Sequence, residues 1–215
     1  MSERKASAYQ AALIGDLVGS RKAADRVALH RAVTGVLSST DSGAAIEVPA
    51  ITAGDEFQGR YADVGAALGA AFRIRLALLP EVDVRFGVGW GEITVLDEER
   101  RIQDGPAWWS ARAAIVATED AATQPGLRTL RTSYQPSGDD GPPTEAVNAA
   151  LICRDHLVGS LDDRSVRILR GLMAGQAKTT LAEAEGISPS AVSQRAVRDG
   201  LDAIVAASAR LEQVR

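Results

Sequence analysis

The chain has 215 residues, of which 46% are hydrophobic and 24% charged, so it can bury one sizeable core or two small ones in the ordinary manner of a globular protein. A formal net charge of −4 excludes any global attraction to nucleic acid, and such binding would need a local patch. The apolar runs are too short to span a bilayer, no hydrophobic leader follows Arg4 and Lys5, the lone Cys153 excludes an intrachain disulfide, and His30 and His156 lie too far apart to suit a zinc site. A cytoplasmic protein without a membrane partner is the expectation.

Residues 9–14 form a short apolar run ended by Gly15-Asp16, which predicts a buried strand. After Ser20, Leu29, Val33, Val36 and Leu37 recur at helical spacing. Residues 46–53 read as a strand that Pro49 confines to an edge or a bulge, and Gly54-Asp55 is a turn pair after which Phe57 opens the returning strand. Val64, Leu68, Phe72, Leu76 and Leu79 make a second helical stripe, closed by Pro80. In residues 82–95, Val82, Val84, Phe86 and Val88 share one face while Gly87, Gly89 and Gly91 alternate with them, and a break or hairpin within the stretch is expected. Residues 107–122 read as a helix and 127–132 as a last strand. The tract SYQPSGDDGPPTE is dense in Pro, Gly, Ser and Asp and reads as a linker. Beyond it the strand signal vanishes, and 147–157, 165–173, 179–186, 190–199 and 201–211 all read as short helices. The expected class is α+β: a sheet-and-helix domain over 1–132, a linker over 133–143 and an all-α domain over 144–215.

Asp16 ends the first predicted strand and Asp55 sits in the following hairpin. Strand ends bring distant residues to one edge of a sheet, and two carboxylates so placed can hold divalent ions about 3.5–4 Å apart for phosphoryl chemistry. Mg or Mn suits such a partial cage, because substrate phosphates and water complete the coordination. The plainer reading is two unrelated turn acids.

The blocks ALIGDLVGS, ITAGDEFQG, RFGVGWGEI and DGPAWWSAR, in this order, resemble the SatD family over essentially the whole chain. More distantly the same blocks are similar to class III nucleotide cyclases and GGDEF-type cyclases. That resemblance implies a ferredoxin-like, palm-like domain with metal aspartates at Asp16 and Asp55, the backbone carbonyl of Leu17 as a third ligand, and Arg112 facing phosphate from a helix. The pattern departs from the cyclases in three places. Trp108-Trp109 stand near the usual asparagine, Pro49 near the base-selecting lysine, and one glycine instead of two precedes Asp55. Arg85 is a further phosphate candidate, Trp108 a candidate for stacking on a base at about 1–3 kcal/mol, and Glu56 and Glu92 are possible additional acids.

In AKTTLAEAEGISPSAVSQRAVRDGL, Leu181 and Ala182 fit a core-facing side, Gly186 a tight turn, Ile187 the junction, and Ser188 a helix cap with Pro189 next to it. Ala191, Val192, Ala196 and Val197 are expected on the buried side of the second helix. This is a helix-turn-helix pattern, similar to winged and sigma-region-4-like regulators. Its candidate DNA contacts are Lys178, Ser188, Ser190, Ser193, Gln194, Arg195 and Arg198. The acids Glu183, Glu185, Asp199 and Asp202 offset its bases, so a bundle used only for packing or dimerisation is the plainer alternative. Leu201, Ile204, Val205, Ser208 and Leu211 form a last amphipathic stripe, which closes the bundle or pairs it in a homodimer.

The reading that joins these signals is a DNA-binding regulator with a metal- and nucleotide-binding palm-like sensor. Its rivals are a metal-dependent nucleotidyl cyclase or nucleotidyltransferase acting on NTPs, and an inactive palm serving as an interaction scaffold.

Overall fold

The computed structural model describes residues 8–20, 25–39, 43–100 and 102–215. Arg4 and Lys5 lie outside them. The elements run β1 (Ala8–Leu17), α1 (Arg26–Ser39), β2 (Ala45–Ala53), β3 (Glu56–Tyr61), α2 (Val64–Leu78), β4 (Val84–Asp97), β5 (Ile102–Asp104), α3 (Pro106–Ala121), β6 (Thr132–Pro136), α4 (Thr144–Gly159), α5 (Asp163–Met173), α6 (Lys178–Glu185), α7 (Pro189–Arg198) and α8 (Leu201–Leu211).

The first six of these make a β-α-β-β-α-β unit whose strands lie in the order β2-β3-β1-β4, each pair antiparallel. That is the ferredoxin-like, palm-like arrangement, and an all-α helix-turn-helix unit follows it. Pro49 lies on β2, at the edge of the sheet, where the register slips on both sides of it. An edge strand is where a residue without an N–H costs no ladder bond. Gly54 turns the β2–β3 hairpin at φ +63°, a value natural only for glycine.

Alternation divides the sheet into two faces. Leu13, Phe57, Tyr61, Val84, Phe86 and Val88 face α1, α2 and α4 and form the main core with Val33, Leu37, Leu68, Ile74 and Leu151. Ala12, Ile14 and Ile93 face the other way and meet Ala107, Ala111 and Ile115 of α3. The glycines alternating along β4 belong to this second face. A Cβ on Gly89 would lie 2.0 Å from the Ala107 carbonyl oxygen, and one on Gly87 2.2 Å from that of Ala111. The stripe therefore exists to let a helix backbone rest directly on a strand.

Two boundaries differ from the sequence reading. β4 runs unbroken for fourteen residues, because its partner β1 matches it from Val84 to Ile93, and its hairpin with β5 comes only afterwards. The last strand is β6, not 127–132, and so occupies the first residues of the expected linker. Parallel pairing with Phe86–Trp90 defines it, a partner more than forty positions away.

The helical unit is also joined to the palm. Phe72 and Leu76 of α2 pack with Val158, Ile168, Leu169, Leu181, Ala182, Val192, Ala196, Leu201 and Ile204, so one helix serves two cores. Arg170 on α5 donates to the carbonyl of Leu76 at 2.8 Å and to that of Leu79, filling acceptors left open at the end of α2. At the other end, Gly65 N donates to the Val214 carbonyl at 2.9 Å. Beneath them Asp155, fully buried, accepts from Arg75 at 3.0 Å and from the backbone N–H groups of Arg131 and Thr132 at 2.8 and 2.7 Å. That one carboxylate ties α2, α4 and the entry to β6 together.

Candidate functional site

Asp16 lies two residues beyond Ile14 and shares its face, the one covered by α3. Across the ladders it is paired with Glu56 on β3 and Arg85 on β4, and Asp55 sits in the hairpin immediately before Glu56. The sheet thus brings Asp16, Asp55, Glu56 and Arg85 to one end, as the positions of Asp16 and Asp55 predict.

The charges form a chain across that end. Arg112 of α3 makes a bidentate pair with Glu56, at 2.6 and 2.7 Å, and Gln58 adds a bond to the same carboxylate at 2.9 Å. Arg85 reaches Asp16 at 3.4 Å and Glu119 of α3 at 3.0 Å. Asp55 accepts from the hydroxyl of Ser20. Burial and the charge of Asp55 hold the Asp16 carboxyl above its usual range, and Arg85 only partly offsets them. Glu56 moves the other way: burial would raise it, but the bonds from Arg112 and Gln58 outweigh burial and leave it lowered. Among the described residues, four carboxylates meet here on two ion-paired guanidiniums: Glu56 holds Arg112, Asp16 and Glu119 share Arg85, and Asp55 makes no ion pair and has only the Ser20 hydroxyl.

Beside this row, on the α3 side of the sheet, opens a cleft of about 670 Å³. Ile14, Gln58 and Thr52 form its floor, the β4–β5 arm with Ile102 and Gln103 one wall, and Trp108, Trp109 and Arg112 the other. Adjacent helix positions point about 100° apart, which leads one to expect only one indole at a site, yet the cleft wraps the first turn of α3 and both line it. Trp109 is 62% exposed and donates to Asp104 at 2.9 Å, whereas Trp108 is half-buried against the sheet. Trp108 Nε1 and Gln103 Oε1 are buried in the cleft walls without a hydrogen-bond partner among the described residues, an unmet demand that calls for an explanation.

One of the sequence candidates lies away from this end. Glu92 pairs with Tyr9, seven residues along β1 from Asp16, or roughly 23 Å at strand rise, and so lies at the opposite end of the sheet. The Leu17 side chain is buried in the main core, which leaves only its backbone to face the site. Glu119 was missed; only its place three turns along α3, over Arg85, reveals it. No group of three or more His, Cys, Asp or Glu residues able to hold a metal exists among the described residues. Glu56 is committed to Arg112, and Asp16 and Asp55 lie close enough for the charge of Asp55 to raise the Asp16 carboxyl.

In the helical unit, α6 and α7 meet at Gly186, in the left-handed conformation at φ +65°, and Ser188 caps α7 by accepting from Ala191 N at 3.2 Å. Ser190, Ser193 and Gln194 are exposed. Arg195 is turned back onto Asp162 at 2.7 Å and Ser165 at 2.7 Å, so it stabilises the bundle and does not reach outward. Arg198 pairs with Asp199 at 2.6 Å and Lys178 with Asp202 at 3.0 Å. Val197, expected inside, is 79% exposed. The helix turns its narrow apolar stripe, Val192 and Ala196, to the core, and Val197 falls outside it.

A palm-like sheet with carboxylates at the end of its first strand and in its central hairpin places the N-terminal part in the fold class that nucleotide cyclases share. The chain belongs to the SatD family, whose profile matches residues 10–208. No curated protein matches it. Among solved structures, a bacterial light-regulated adenylyl cyclase is 12% identical with a TM-score of 0.48, covering 60% of this chain and 43% of that one, so the chain spans less than half its length. A second structure of a bacterial light-regulated adenylyl cyclase is 13% identical with a TM-score of 0.45, covering 60% and 77%. A regulator of polyketide synthase expression from Bifidobacterium adolescentis is 13% identical with a TM-score of 0.28, covering 97% and 86%. No helix among the described residues is long and apolar enough to cross a membrane.

Proposed function

We propose that this SatD-family chain is a DNA-binding regulator whose palm-like domain binds a nucleotide together with Mg or Mn. The observation that carries the reading is the charge deficit at the sheet end, where Asp55 makes no ion pair among the described residues and Asp16 shares Arg85 with Glu119, beside a cleft walled by two indoles and Arg112. One divalent ion on Asp16 and Asp55 would cancel that deficit, with the Leu17 carbonyl as a further ligand and phosphate oxygens completing the shell. Arg112 and Arg85 would then meet phosphates, and the Trp108 ring a base. Support for a DNA-binding role is the α6–α7 turn with its capped second helix and an exposed face of hydroxyl and amide groups. Coupling between the two sites is favoured by α2, which contributes to both cores.

Turnover of an NTP is the less favoured reading, since Pro49, packed against Gly59, stands where a base-selecting lysine is expected. The test is a thermal-shift series of nucleotides with Mg or Mn on the wild type, Asp16→Asn and Asp55→Asn. At a hundred-fold excess over Kd a bound nucleotide stabilises by about 2.7 kcal/mol, or roughly 5–10 °C for a chain of this size. The reading fails if no nucleotide shifts the wild type, or if both variants shift equally. Saturating nucleotide that leaves DNA affinity unchanged would remove the coupling.

A further inference from the structure

Across α7, the polar and charged side chains divide by destination. Arg195 is spent inside the bundle, on Asp162, Ser165 and Asp199, and Arg198 lies along the flank against Asp199. What remains on the outward face is Ser190, Ser193, Gln194 and Val197, at positions i, i+3, i+4 and i+7 of one helical stripe. Val197 is the most exposed of the large hydrophobic residues described, although a branched apolar side chain gains nothing from water. The side chain of Gln194 beside it makes no hydrogen bond to another described residue and borders a hollow of about 430 Å³ with Ile187, Ala191, Arg164 and Arg198. Helix α7 itself carries no acidic residue, and its two arginines are both paired with Asp162 or Asp199, so its outward stripe is neutral.

Resting on the DNA-binding reading above, we propose that Gln194 and Val197 are its specificity-determining pair, reading an adenine and a thymine methyl in the major groove of an A·T-containing site. An amide offers one donor and one acceptor, which match adenine N7 and N6 in the groove, and an exposed valine offers the apolar surface that thymine C5-methyl takes up. Gln194 and Val197 stand three positions apart, neighbours on the helix surface, so the two contacts fall on adjacent base pairs. Ser190 and Ser193 supply hydroxyls to phosphate or base edges, and Arg198, released from the exposed Asp199 pair, supplies a phosphate contact. Because so few cations face outward, binding depends on base contacts more than on counterion release. The salt dependence is shallow, corresponding to about one phosphate for each chain.

The full chain selects from a random-sequence duplex pool, and the enriched site is measured by fluorescence anisotropy with wild type, Gln194→Ala and Val197→Ser, both surface substitutions. The expected site contains A·T pairs. Gln194→Ala binds it about tenfold more weakly and loses preference at one position. Replacing the contacted thymine by deoxyuridine weakens the wild type several-fold and leaves Val197→Ser unchanged. An enriched motif that both variants still select, at wild-type affinity, overturns the assignment while DNA binding itself stands. Failure of any duplex to enrich overturns the DNA-binding reading and this inference with it. Concentration-dependent self-association by light scattering that Val197→Ser abolishes overturns the inference in favour of a second copy as the occupant of this face.

Discussion

The sheet end around Asp16 and the helical unit around Asp162 both gather carboxylates and arginines, but they balance them differently. Around Asp162 three acids are matched. The Ser165 backbone N–H and Arg195 hold its carboxyl down at about 2, Arg198 lowers Asp199, and Arg167 with Arg164 lowers Glu185. Around Asp16 the acids outnumber the bases, and burial with Asp55 raises the carboxyl. Matched charge holds helices in place, whereas unmatched charge costs stability unless a ligand supplies the missing cation. On the proposed reading, this difference sets the helical unit apart as scaffold and the sheet end as site.

The hardest test of that distinction removes a matched acid from the interior. Asp155 is fully buried with Arg75 at 3.0 Å and Arg154 at 3.5 Å. Arg75 also holds Asp83 at 2.8 Å, so Asp155→Asn leaves the buried Arg154 guanidinium as the one without its counter-charge, which should cost about 3–5 kcal/mol in urea unfolding. Because Asp155 also binds the N–H groups of Arg131 and Thr132, β6 should lose hydrogen-exchange protection before the β1–β3 pair does. A cost under 1 kcal/mol would show that the network is decorative.

A smaller effect is expected where the matched pair is more open. The folded-state carboxyl of Asp162 sits at about 2 against an ordinary 3.8. The unfolded chain therefore takes up the proton first, so the stability this group contributes is present above 3.8 and is lost as pH falls toward 2. Asp162 is mostly exposed, so solvent screens the contribution and salt reduces it further. Asp162→Asn should flatten the acid limb of the α5–α8 unfolding curve followed by amide exchange, and an unchanged limb would break the comparison. At the unmatched site the same kind of change has the opposite sign. Asp16→Asn should leave the resting protein as stable or slightly more so, by up to about 1 kcal/mol, while abolishing its thermal response to Mn and nucleotide. A destabilised Asp16→Asn protein would mean that the carboxylate is structural.

How far these two regions could be read from sequence follows from the range of the interactions that build them. Local signals served well. The Gly54-Asp55 turn, the capped Ser188-Pro189 start and the Gly186 bend are all set within a few residues, and they lie where expected. The alternating glycines of β4 were legible as a pattern, but not their cause, since the helix that rests on them arrives some twenty residues later. The strand β6 was misplaced because Ser133, Gln135 and Pro136 resemble loop, and pairing with β4 overrode that local preference. Val197 was placed inside because hydrophobicity alone does not tell which side of a short helix a bundle will cover. The Asp16–Asp55 proximity was legible from topology. The Arg112–Glu56 pair, spanning 56 positions, was not, because nothing at either end marks a partner on another element.

That pair gives the finest test of the comparison, because Glu56 is the matched acid within the unmatched row. Its bidentate bond holds Arg112 at the mouth of the cleft, where an incoming phosphate must compete for the same guanidinium. Glu56→Gln keeps the shape and the contact with Gln58 but removes the charge, and an exposed pair of this kind is worth about 0.2–1 kcal/mol. Phosphate-bearing ligands should therefore bind the variant about two- to fivefold more tightly in titration calorimetry, with Arg112→Gln falling below wild type. If Glu56 instead ligates the metal, the same substitution weakens binding in Mn and leaves metal-free binding unaltered. The direction of that one change decides whether Glu56 belongs with the scaffold acids or with Asp16.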